Sequence, residues 1–93
     1  ATNDLERTAV ITLAPNPVLA GTPALLRIES EQTMEIAVAL CDAAGRVCHQ
    51  QRYRVYDGDN QFEIPTANLN AGFYSVLLQN EKGATVKRLV VVE

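Results

Sequence analysis

"TMEIAVALCDAAGRVCHQ", residues 33–50, holds two strands and the turn that joins them. Met34, Ile36, Val38 and Leu40 alternate with Glu35, Ala37 and Ala39, the period of two expected of a strand that lays one face on a core. The alternation over Thr33 to Cys41 stops at Asp42, whose side chain suits a turn, and Gly45 supplies the left-handed backbone that closes a three-residue hairpin loop. Such a loop sets Cys41 opposite Val47 and Cys48 opposite Leu40. Successive side chains point to opposite faces, so the two thiols fall on opposite sides and stay free, with Cys48 turned to the core. The return strand, Arg46 to Tyr56, carries Gln50, Gln51 and Arg52 in succession, and this break in alternation predicts a bulge there.

The same period recurs on both sides of the hairpin. Towards the N-terminus, Val10 to Ala14 and Pro23 to Ser30 read as strands, with Ala24, Leu26 and Ile28 alternating with Arg27 and Glu29. "LAPNP", Leu13 to Pro17, closes the first of these: two prolines fix φ, remove donors and push Asn16 to extended geometry, which makes a rigid corner. Towards the C-terminus, "YDGDNQ" (Tyr56 to Gln61) is turn chemistry, Gln61 to Ile64 a short strand ended by Pro65, and "NLNAG" (Asn68 to Gly72) a loop. Phe73 to Gln79 and Thr85 to Val92 are the last two strands, joined through residues 80–83. Residues 1–7 are polar and aperiodic and read as a linker or arm, with one domain over residues 8–93. Seven short strands without a helical run predict an all-β fold, a seven-stranded antiparallel immunoglobulin-like β-sandwich. The disulfide and tryptophan of antibody domains are absent.

Composition narrows the function classes. Ninety-three residues suffice for one small core, and 47% hydrophobic with 20% charged residues suits a folded chain. A net charge of −3 with no Lys/Arg run argues against nucleic acid. The longest aliphatic run, Leu89 to Val92, falls far short of the roughly 20 residues that span a bilayer, so no membrane insertion is expected. The start at Ala1, without a methionine or signal pattern, reads as a piece of a longer protein.

No chemistry-bearing constellation emerges, and no cofactor or metal is expected. Zinc needs three or four ligands, and His49, Cys48 and Cys41 supply too few that could share a face. Asp57, Asp59 and Gln61 resemble the opening of a calcium loop, but Phe62 stands where its glycine belongs and no closing carboxylate follows. A sole histidine and no nucleophile elbow leave nothing to build an acyl-transfer site, so the chain reads as a non-enzyme.

Four landmarks occur in fixed order: Pro15-Asn16-Pro17, then Asp42-x-x-Gly45-Arg46, then Leu69-x-x-Gly72-x-Tyr74, then Lys87-Arg88-Leu89-Val90-Val91. Each also has a plain structural explanation, a corner, a good hairpin, a loop end, a final strand. As an ordered set they resemble the type A C-terminal sorting domain of the Bacteroidetes type IX (Por) secretion system, over about Thr8 to Glu93. The resemblance implies a folded signal that directs an attached N-terminal cargo across the outer membrane. The cargo passes through the periplasm, is recognised there by translocon components, and ends at the outer membrane and cell surface or is secreted. A cell-surface sortase commonly removes the domain in that family. The alternative is an immunoglobulin-like accessory or adhesion module of a bacterial surface protein. Cys48 stands where the family usually has an aliphatic residue, and Glu93 ends the chain with an acid. The final strand is apolar on both sides, with Val86, Arg88, Val90 and Val92 on one and Lys87, Leu89 and Val91 on the other. Either both sides meet protein or one is left for docking.

Overall fold

The structure, a computed structural model, describes residues 9–14, 16–81 and 83–93; the arm expected over residues 1–7 and the first landmark proline, Pro15, lie outside the described residues. Eight strands form in the order β1 (Ala9–Ala14), β2 (Val18–Leu19), β3 (Ala24–Ser30), β4 (Met34–Asp42), β5 (Val47–Val55), β6 (Gly58–Ile64), β7 (Gly72–Asn80) and β8 (Gly83–Val92). They make a three-stranded sheet in the order β1-β3-β6 and a five-stranded sheet in the order β2-β8-β7-β4-β5.

Alternation decides which side of each strand is inside. Ala9, Ile11, Ala24, Leu26, Ile28 and Ile64 of the smaller sheet meet Ile36, Val38, Leu40, Val76, Leu78, Leu89 and Val91 of the larger in one buried cluster. Each Leu or Ile fully buried there contributes about 1.5–3 kcal/mol relative to exposure, so these inward positions dominate stability. Tyr53 and Phe62 close the cluster at the β5–β6 side, their ring centroids 4.2 Å apart. All-β was expected and is found.

Four features depart from the reading of the sequence. First, there are eight strands, because Val18 and Leu19 pair with Val91 and Val92. Two residues carry no detectable period, and the pairing is parallel, so the arrangement is not purely antiparallel. Second, the bulge is not at Gln50 to Arg52, which pair regularly with Ala39, Val38 and Ala37. The register instead shifts between Leu40 and Cys41, where Leu40 faces His49 and Cys41 faces Val47. Third, Cys48 is therefore the extra residue opposite that step and is exposed, not buried beside Leu40. Both thiols are free, as expected. Fourth, the "YDGDNQ" turn is shorter than expected: β6 already starts at Gly58, and only Tyr56 and Asp57 separate it from β5. Asn60 tightens that connection, its side chain accepting from the Tyr56 N–H at 3.0 Å and donating to the Tyr56 carbonyl at 2.8 Å.

The polar inward positions of β5 have a physical reason. Gln51 and Tyr53 face Val38 and Ile36 across the ladder, yet β5 is the edge of its sheet. An open cleft of about 480 Å³ lies there, lined by His49, Gln51, Tyr53 and Glu63 together with Pro23 and Pro65. Polar side chains on that side meet water, so the period is kept while the hydrophobicity is not.

Candidate functional site

Asn16 resolves the first landmark. Its side-chain amide donates from Nδ2 to the Arg88 carbonyl at 2.7 Å, and its Oδ1 accepts from the Val90 N–H at 3.0 Å. A parallel neighbour bonds the carbonyl before and the N–H after the residue it faces, so this amide does at Leu89 what a strand's peptide group would do. The pairing then passes to the main chain: Val18 opposite Val91, Leu19 opposite Val92, and the Ala20 N–H donating to the Val92 carbonyl at 2.8 Å. Pro17, exposed and joined to Asn16 by a cis peptide bond, makes the corner.

The third landmark meets the same strand from its other side. Gly72 pairs with Val91 and Tyr74 with Leu89. Tyr74 is 9% exposed, and its hydroxyl donates to the Asn70 carbonyl at 2.6 Å, pinning the loop that precedes β7. Leu69 packs against the core and donates its N–H to the Thr66 carbonyl at 3.0 Å. Thr66 itself is buried; its hydroxyl donates to the Thr22 carbonyl at 2.7 Å and accepts from the Gly21 N–H at 3.1 Å. Through Thr66 the "NLNAG" loop is tied to the segment that leaves β2.

The second landmark caps the hairpin. The Asp42 carbonyl accepts from the Gly45 N–H at 3.0 Å, and Gly45 takes φ +88°, the left-handed conformation the three-residue loop requires. The Asp42 carboxylate accepts from the N–H groups of Arg46 and Ala44, each at 2.9 Å, and from Arg46 Nε at 3.2 Å. The Arg46 N–H foremost, helped by the Ala44 N–H and the Arg46 guanidinium, holds the Asp42 carboxyl below its ordinary range. A depressed native pKa favours folding above the unfolded-chain value of about 3.9, and that contribution is lost as pH falls through the native value. Thermal melts from pH 6 to pH 2 should therefore show a shallower acid loss for Asp42→Asn than for the parent chain. Equal slopes would mean the carboxylate does not support the hairpin.

Cross-strand register brings the landmarks together. Asn16 bridges Arg88 and Val90, Leu89 faces Tyr74, and Tyr74 faces Asp42. Four stretches far apart in sequence thus form one band across β2, β8, β7 and β4. Leu89 and Val91 point into the core, at 0% and 1% exposure. Lys87 shares their side of β8 and pairs with Val76. Arg88 is exposed and Val90 half-buried on the outer side, so the two sides of β8 differ after all. Reading the motifs missed Val18, which is fully buried in the band, and Thr66. It also passed over Phe73, which is 72% exposed beside Val90. Phe73 occupies a position the third landmark leaves open, and an isolated phenylalanine in a strand reads as core.

Among the described residues no three His, Cys, Asp or Glu side chains converge to hold a metal ion. The acidic pair expected to be plain turn, Asp57 and Asp59, is divided: Asp59 sits on β6 and binds Arg27 of β3, both contacts at 2.9 Å.

The model of one family, described as a secretion system C-terminal sorting domain, matches residues 12–92. No curated protein matches the chain.

Proposed function

This chain belongs to the secretion system C-terminal sorting domain family, and from that premise we propose how its signal is read. The domain is a sorting signal of the type IX system. The feature the export machinery recognises is the folded band in which Asn16, Arg88, Val90, Tyr74 and Asp42 are brought side by side. Four separated landmarks joined by direct pairing support this reading, since none of them has the band's shape in an unfolded chain. The cargo is attached N-terminal to the domain, which occupies residues 8–93 behind a linker at residues 1–7. The translocon engages the domain in the periplasm. The cargo then reaches the outer membrane and cell surface or the medium, and a surface sortase removes the domain by a cut in or just before residues 1–7. The domain itself performs no catalysis, because a signal of this kind acts by being bound.

The architecture is read as an immunoglobulin-like sandwich of eight strands. Two sheets on one core support this, as does the Tyr74 hydroxyl bonded four residues back, an arrangement that resembles the tyrosine corner of such domains.

Mass spectrometry of a surface-exported cargo fused to this chain tests the maturation step. The expected product ends in or before residues 1–7, with the sandwich lost whole. A product ending within residues 33–89 would rule the site out.

A further inference from the structure

We propose that the outer face of the five-stranded sheet is the surface on which the export machinery docks, and that the partner surface there is apolar and ringed by carboxylates. The proposal rests on the sorting reading above and adds to it which face is used and what chemistry meets it.

A sheet face turned to water is ordinarily polar. The outer face of the three-stranded sheet is so, with Thr12, Glu29, Gln61 and Glu63 exposed and Arg27 neutralised by Asp59. The five-stranded sheet is different. Phe73, Leu19 and Val86 are 72%, 58% and 56% exposed on its outer side. The register sets Val90 beside Phe73 and Leu77 beside Val86, so these apolar side chains are contiguous across β7 and β8. An exposed apolar cluster of this kind marks an interaction surface more often than a plain water-facing one.

Charge fixes the partner's chemistry. Arg88, Arg52 and Arg54 are exposed on this face, with Glu35 as the acid among them. The chain as a whole carries −3, so its positive field is gathered on the apolar side and its acids lie elsewhere. Among the described residues none of these three arginines is in an ion pair, whereas Arg27 on the opposite face is held at 2.9 Å. An arginine covered on docking must find a carboxylate or pay for lost hydration. Arginine and exposed aromatics are also the side chains most enriched at interface hot spots. A second copy docked face to face would set arginines against arginines. An anionic membrane is ordinarily held by clusters of about four to eight basic residues, more than this face has.

Fusions of a reporter to the chain test the proposal, with thermal melts of each variant as the folding control. Phe73→Asp and Phe73→Arg remove the same ring with opposite charge. Both should melt within a few degrees of the parent, as exposed substitutions do. Phe73→Asp and Arg88→Glu should each lower the extracellular reporter by about tenfold or more, the loss typical of a hot spot. Phe73→Arg should lower it less than Phe73→Asp, and Leu25→Asp on the opposite face should leave it unchanged. If the parent is exported by the translocon and Phe73→Asp and Arg88→Glu follow it fully, this face is wrong while the sorting function stands. If the parent itself is indifferent to the translocon, the sorting reading fails first. Concentration-dependent dimers abolished by Phe73→Asp would make the occupant a second copy and overturn the proposal. So would binding to phosphatidylglycerol–phosphatidylcholine vesicles abolished by Arg88→Glu.

Discussion

Leu89→Asp is expected to leave the chain unfolded at room temperature. The Leu89 side chain is fully buried, faces Tyr74 across the ladder and belongs to the cluster shared by both sheets. An aspartate there loses the leucine's burial, and its carboxyl must either protonate or sit as an uncompensated charge. The first loss alone is about 2–5 kcal/mol and the second adds several more, against a total stability of about 5–15 kcal/mol for a domain. Val90→Asp, one residue on, points outward and should fold, losing about 1 kcal/mol or less. Circular dichroism and thermal melts of the two variants check this directly. A cooperative melt for Leu89→Asp near that of the parent would mean that the last strand does not complete the core.

Asn16→Ala should cost the next largest amount among the landmark residues. It removes both hydrogen bonds that tie the corner to β8, leaving the Arg88 carbonyl and the Val90 N–H to water. Each such bond is worth about 1 kcal/mol net, and at this chain length 1 kcal/mol moves the midpoint by about 4–8 °C. Exchange of the Val90 amide hydrogen should quicken as the local edge opens. Asn16→Asp is a sharper probe: it keeps the acceptor for Val90 but sets a carboxylate oxygen against the Arg88 carbonyl, so it should not rescue the loss. An unchanged midpoint with Val90 still protected would show that the corner holds by Pro17 and Val18 alone.

These two residues also show what sequence carries and what it omits. The alternation around Leu89 was plain, but both sides of β8 are apolar, so the period named two faces without saying which was inside. Burial settles it, because only Leu89 and Val91 meet the smaller sheet's cluster. The hairpin loop at Asp42 to Arg46 was legible because its geometry is local: a glycine with positive φ and a carboxylate two and four residues from its donors. The next few residues were not. One extra residue at Cys48 reverses the side of everything before it, and no residue type announces such a step. β2 escaped for another reason, since a two-residue strand has no period and is defined by its partner. The site was legible as four separate landmarks. Their assembly into a band depends on strand order, β2-β8-β7-β4, which is a long-range property that no short stretch encodes.

The account stands or falls on whether this folded domain directs export. The chain should be fused C-terminal to a reporter that carries its own signal for the periplasm, and expressed in a type IX-competent strain and in one lacking the translocon. The reporter is expected on the surface or in the medium of the first strain and retained in the periplasm of the second, with the Leu89→Asp fusion retained in both. Equal distribution of the parent fusion in the two strains would contradict it.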